Sequence, residues 1–290
     1  MRYALEYCAT LVFPSPVREH HCELRLQPRD DAHQRVHAIH IDTDPEAELY
    51  TYIDGFGNRV HHFCLLPPHD RLVIRSTAEV ETLLTDPFHY VPVPSRRERA
   101  WIADRLQEHP RLWDYVLHRR PTTPDLDGVH HGLDLPHYDP DKPLLELVQA
   151  TMTWIAAVLM YQPGITQVHS PLEEALGAGA GVCQDFAHLL IALVRSWGFP
   201  ARYVVGYLDP GYGEAARRSV GQAPHAWAEV LIPGAGWRGF DATARLLADE
   251  TYIAVAVGRD SADAAPQRGS FKGEDEGKPP DVTLAVMRQQ

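Results

Sequence analysis

One segment constrains this chain more than any other: GAGAGVCQDFAHLLIALVRSWGFPARYVVGYL, residues 177–208. Gly177, Gly179 and Gly181 lead into a run in which Phe186, Leu189, Leu190, Leu193, Val194 and Trp197 recur at helical spacing. Gly198 supplies the stop and Pro200 forbids continuation. Arg202–Leu208 then reads as a strand. A helix therefore begins near Val182 or Cys183, and it carries a cysteine in its first turn.

That position has chemical consequences. A thiol is a poor nucleophile until it loses its proton, and the unpaired N–H groups of a helix start favour the thiolate. Two later residues fit the same chemistry. His225 opens a predicted strand, HAWAEV, and Asp241 closes the next one, GWRGFD. The Pro233-Gly234-Ala235-Gly236 turn makes these strands an antiparallel hairpin with His225 and Asp241 at its open end. An imidazole can take a thiol proton, and a carboxylate on its far nitrogen fixes the tautomer. The Cys183 N–H is one oxyanion donor. Tyr161 and Gln184 are candidates for a second, Tyr207 for the cleft wall, and Trp227 and Trp237 for shielding the imidazole. Asp185 reads equally as a first-turn acid or as a hydrogen-bonder behind the thiol, and His188 as structural.

At about 150 residues per domain, 290 residues make roughly two. Tyr3–Cys8, His21–Leu26, Val36–Asp42, Leu49–Ile53, Arg59–Leu65 and Leu72–Val80 are strand-like runs separated by turn sequences such as Asp54-Gly55 and Gly57-Asn58. They predict a small β-sandwich. Pro87, Pro92 and Pro94 mark a boundary, giving a β-domain over 1–90 and a second, α+β domain over 91–290. Ser95 with Glu98 reads as a capping box opening a helix. Leu144–Tyr161 is apolar at helical spacing, and Ser170-Pro171 starts a short helix. Segments 119–143, 209–223 and 262–280 read as loops, the first a candidate lid. Tyr252–Val257 and Val282–Met287 complete the strands.

Taken together, GVCQDFAHLLIALVRSWGFPARYVVGYL and HAWAEVLIPGAGWRGFDAT resemble the transglutaminase-like superfamily of cysteine enzymes. The stretches 24–31, 54–63, 161–176 and 257–273 resemble its bacterial two-domain branch. The resemblance implies a papain-like core, a helix bearing Cys183 packed on an antiparallel sheet bearing His225 and Asp241, behind an N-terminal β-domain. It implies a peptide or amide substrate and an acyl-cysteine intermediate. Where many relatives have Asp-Pro-Thr this chain has Asp241-Ala242-Thr243, and where relatives often carry a His it has Tyr252-Ile253-Ala254.

Other function classes fit poorly. With 27 basic against 39 acidic residues the net charge is -12, and no basic face for nucleic acid is expected. No apolar run reaches about 18 residues, and MRYALEYCATLVF lacks the pattern of a signal peptide. No membrane span and a cytoplasmic location are expected. Cys8, Cys22, Cys64 and Cys183 are too sparse for a disulfide framework. Seventeen histidines invite a metal, but His20-His21, His61-His62 and His130-His131 place neighbours on opposite faces or in loops. No HExxH or CxxC spacing occurs, so neither a metal nor a cofactor is expected. Hydrolysis leads; acyl transfer to an amine, a non-catalytic peptide-binding or assembly module, and glycosylamide cleavage are the rivals. A second copy or a protein partner is the kind of contact expected for the N-terminal domain, whose role the sequence leaves open.

Overall fold

The structure is a computed structural model that describes residues 1–126, 132–209, 211, 224–274 and 279–289. The predicted pair His130-His131 and most of the loop 209–223 lie outside the described residues. Strand β1 (Arg2–Leu24) organises the N-terminal sheet, with β2 (Gln34–Asp44), β3 (Tyr50–Ile53), β4 (Arg59–Leu65) and β5 (His69–Thr82) in the order β2-β5-β1-β4-β3. Its first half pairs with β5 and its second half with β4, all antiparallel. The sequence reads as two strands here, and the structure has one. Pro14 and Pro16 fall where the register shifts, between Val12 and Val17, a place where a missing N–H costs no regular ladder bond. Alternation turns Tyr7, Ala9, Leu11 and Phe13 inward from the first half and Cys22 and Leu24 from the second. Phe63, Leu65, Leu72 and Ile74 close the same core. The sheet thus folds over its own longest strand.

The remaining elements are helices α1 (Glu98–Glu108), α2 (Asp114–Leu117), α3 (Leu144–Val158), α4 (Leu172–Ala178) and α5 (Cys183–Ser196), and strands β6 (Met160–Tyr161), β7 (Ala180–Gly181), β8 (Ala201–Leu208), β9 (His225–Ile232), β10 (Gly236–Asp241), β11 (Leu246–Leu247), β12 (Tyr252–Gly258), β13 (Gln267–Lys272) and β14 (Asp281–Gln289). A second antiparallel sheet runs β11-β10-β9-β8-β12. Leu189, Leu190 and Leu193 of α5 share a core with Val148 and Met152 of α3 and with Ala228 and Val230 of β9. Gly198, at φ 85°, ends the α5 turn as the sequence predicts.

Two expectations change. A division at residue 91 assigns everything after it to the second domain, yet β13 and β14 pair with β1. The last strands return to the first sheet, and β13 lies inside the predicted excursion 262–280. The predicted capping box also fails: no side chain caps α1. Glu98 instead accepts the Leu144 N–H at 2.9 Å, capping α3 in place of its own helix.

The edge strand β12 meets the N-terminal sheet. The Gln34 amide donates to Ala254 O at 2.7 Å and accepts from Ala254 N at 2.9 Å. Asn58 does the same with Val257, donating to its carbonyl at 2.7 Å and accepting from its N–H at 2.8 Å. The Arg29 N–H also donates to Ala254 O, at 3.0 Å. These side chains satisfy an edge that is otherwise open to pairing.

Candidate active site

Cys183 is the first residue of α5 and is half-buried. The turn before it is fixed by Asp185, whose Oδ2 accepts the Val182 N–H at 2.8 Å and the Thr166 hydroxyl at 2.6 Å. This back-reach requires glycine at 181, because a Cβ there would sit 2.8 Å from both Cβ and Oδ2 of Asp185. The carboxylate is thereby turned to its own cap and away from the sulfur. Burial raises its pKa, and these hydrogen bonds oppose the rise.

His225 and Asp241 come together through register. β9 and β10 pair Phe240 with Ala228. One step further sets Asp241 opposite Trp227 and diagonal to His225, on the same face. His225 Nε2 lies 2.7 Å from Asp241 Oδ2, and the Cys183 thiol is close enough to His225 to favour its charged form. Both residues are nearly inaccessible, at 3% and 0% exposure. Burial works against an imidazolium here. The Asp241 carboxylate and its hydrogen bond outweigh that, with a further contribution from Cys183, and push His225 up to about 10. Asp241 feels the reverse: burial raises it, but His225 and hydrogen bonds from Ala244 N and the Tyr252 hydroxyl hold it below its ordinary value. Oδ1 accepts from Thr243 N at 2.9 Å and Ala244 N at 3.2 Å, and Oδ2 from the Tyr252 hydroxyl at 3.0 Å. The carboxylate itself secures the turn that follows it, through Thr243 N and Ala244 N.

Two family models match this chain, the bacterial transglutaminase-like N-terminal region over residues 3–81 and the transglutaminase-like superfamily over residues 137–242. Protein ML0607 of Mycobacterium leprae is 35% identical over 262 residues, covering 90% of each chain. The chain belongs to the transglutaminase-like superfamily. Protein Mb2599c of Mycobacterium bovis is also 35% identical, over 90% of this chain and 85% of that one. The fold matches the crystal structure described as "a Putative Cysteine Protease from Cytophaga hutchinsonii", with a TM-score of 0.65 and 23% identity, covering 100% of this chain and 92% of that one.

Around this transglutaminase-like centre the other predicted residues divide. Trp227 is buried and stacks on His225, with centroids 6.3 Å apart. Glycines at 206 and 239 make room for it: a Cβ on Gly206 would lie 2.6 Å from Trp227 Cη2 and collide with Ile253 O, and one on Gly239 would lie 3.1 Å from Trp227 Nε1. Tyr161 is half-buried within electrostatic reach of Cys183 and Asp241. Gln184 faces elsewhere, donating to Val168 O at 2.8 Å. Tyr207 is buried between the two sheets with Tyr3, Leu5 and Ile253; it does not line the cleft, because alternation turns it to the face opposite Gly206. Trp237 packs on Tyr115 and under the Arg202 guanidinium, away from His225. His188 is structural, its Nε2 accepting the Ser261 N–H at 3.1 Å.

Two residues of the candidate lid pack at the opposite end of α5 from the thiol. Pro136 O accepts from Trp197 Nε1, and Tyr138 packs on Phe199, both at the far end of α5. Among the described residues no three His, Cys, Asp or Glu side chains converge to hold a metal, and no helix is long and apolar enough to cross a membrane. Sequence reasoning missed Tyr252 as a partner of Asp241; its only signal was the departure from His at that place.

Proposed function

We propose that this protein cleaves amide or peptide bonds through an acyl-Cys183 intermediate. The observation that supports the reading is His225, nearly inaccessible and 2.7 Å from the Asp241 carboxylate, with the Cys183 thiol close enough to favour its charged form. In this reading the thiol proton resides on His225 and the sulfur attacks the carbonyl. The Cys183 N–H stabilises the developing oxyanion. His225 gives its proton to the departing amine as the C–N bond breaks. Water then attacks the thioester, His225 takes the water's proton, and the acid leaves as the sulfur is released. Asp241 keeps Nε2 engaged throughout.

Acyl transfer uses the same three residues and replaces the water by an amine. Incubation with a defined peptide mixture, with and without a primary amine, separates the two by mass. Products gaining one water support hydrolysis; products carrying the amine assign acyl transfer. Neither product from the wild type, under conditions where the fold is intact, counts against the catalytic reading.

A further inference from the structure

A cavity of about 460 Å³ lies against elements that carry the site, walled by Ala157, Met160 and Tyr161, by Phe186 of α5, and by Thr243 and Arg245, without Cys183 itself in its lining. Three of its walls are continuous with the site. Tyr161 pairs with Gly181, two residues before Cys183; Phe186 stands one turn further along the thiol helix; Thr243 donates its N–H to Asp241. The walls are otherwise apolar or neutral, and Arg245 is the one charged side chain among them.

Arg245 is unusual in two ways. Its φ is 60°, a left-handed conformation that glycine adopts freely and a side chain resists. Such strain persists where something other than local stability maintains it. It also forms no hydrogen bond or ion pair among the described residues, although the chain as a whole is acidic, at net charge -12. The Thr243 hydroxyl behind the same wall is buried and has no hydrogen-bond partner among the described residues. An exposed, unpaired cation held in a left-handed turn at the rim of an open cavity whose surface is more polar than apolar is placed to receive a carboxylate. In an acidic protein it also offsets the field that repels an anionic substrate.

We propose that this cavity is a substrate subsite and that Arg245 selects amide substrates carrying a carboxylate a few bonds from the scissile carbonyl. The assignment rests on the acyl-Cys183 reading for its chemistry, but it is tested separately from it.

Two alkylating reagents of nearly equal size make the test, N-iodoacetylglycine, which is anionic, and N-iodoacetylglycinamide, which is neutral. The ratio of their rates at Cys183 is compared with the ratio on glutathione. The wild type is expected to favour the anionic reagent by about three- to tenfold over glutathione, and the preference should shrink as salt rises. Arg245→Gln should abolish it and Arg245→Lys should keep it. Arg245→Gly should also abolish it while melting at or above the wild-type temperature, because the left-handed turn is relieved. A merely structural arginine, compensating the C-terminal end of α3, predicts a lower melting temperature for these variants and an unchanged ratio. An equal ratio in wild type and Arg245→Gln overturns the subsite. The ratio is read whatever the absolute rate, so a sluggish Cys183 contradicts the thiol-enzyme reading and leaves the subsite to be judged by the ratio.

Discussion

The charge on His225 is the outcome of a contest between burial, which opposes it, and the Asp241 carboxylate, which wins. The raised value, from 6.5 to about 10, has a definite sign. Stability from this pairing is complete below about pH 6.5 and is lost as pH rises towards about 10. Asp241 is lowered, so its share is present above the ordinary carboxylate range and is lost on acidification. Tyr252 bears on both through Oδ2. Tyr252→Phe keeps the edge-on packing against Trp227 and removes one donor to a buried charge, so it should cost about 1–2 kcal/mol in urea unfolding. It should also displace the pH profile of Cys183 alkylation; an unmoved profile would reduce Tyr252 to packing. The positions of Cys183, His225 and Asp241 on their elements were legible because each obeys a local rule: a helix start, a strand start and a strand end joined by a tight turn. Tyr252 obeys none. Its contact with Asp241 exists only once the turn 242–251 has folded back, which no spacing announces.

Among the elements, β12 carries the heaviest dependence. It is the edge of the second sheet, it supplies Tyr252, and its outer backbone is satisfied by the side-chain amides of Gln34 and Asn58. Asn58→Ala would strand both the N–H and the carbonyl of buried Val257, and should lower stability by about 2–4 kcal/mol in chemical denaturation. A loss under about 0.5 kcal/mol would mean that water replaces the amide without cost. The stretches 24–31 and 54–63, which resembled relatives without a stated role, take one from this contact: Arg29 and Asn58 join the sheets. The elements misread from sequence share one physical cause. β1 passes through two prolines because they fall at a bulge, and Glu98 caps a helix distant in sequence. Both outcomes are decided by partners that local pattern does not contain.

For the whole molecule, the return of β13 and β14 to β1 ties the chain's end to its start, and acid stability becomes a joint property. Burial holds His188 down to about 3 and His20 to about 4, the latter also opposed by His69. Both stay neutral in the fold while an unfolded chain takes up protons below about 6.5, so stability falls as pH drops from about 6.5 to about 4, and His188 continues the loss to about 3. His188→Gln keeps an acceptor for the Ser261 N–H and should flatten that decline; an equally steep decline would place the acid sensitivity elsewhere. All four cysteines are free, with Cys22 buried and Cys8, Cys64 and Cys183 half-buried, so the chain holds its own controls for the central claim. The deciding measurement is the rate of iodoacetamide alkylation at each cysteine, mapped by mass spectrometry near pH 6. Cys183 is predicted to react about tenfold or more faster than Cys8, Cys64 or glutathione, and His225→Asn to slow it by about 10²–10⁴. Cys183 reacting at the pace of glutathione, with or without His225, would contradict the account.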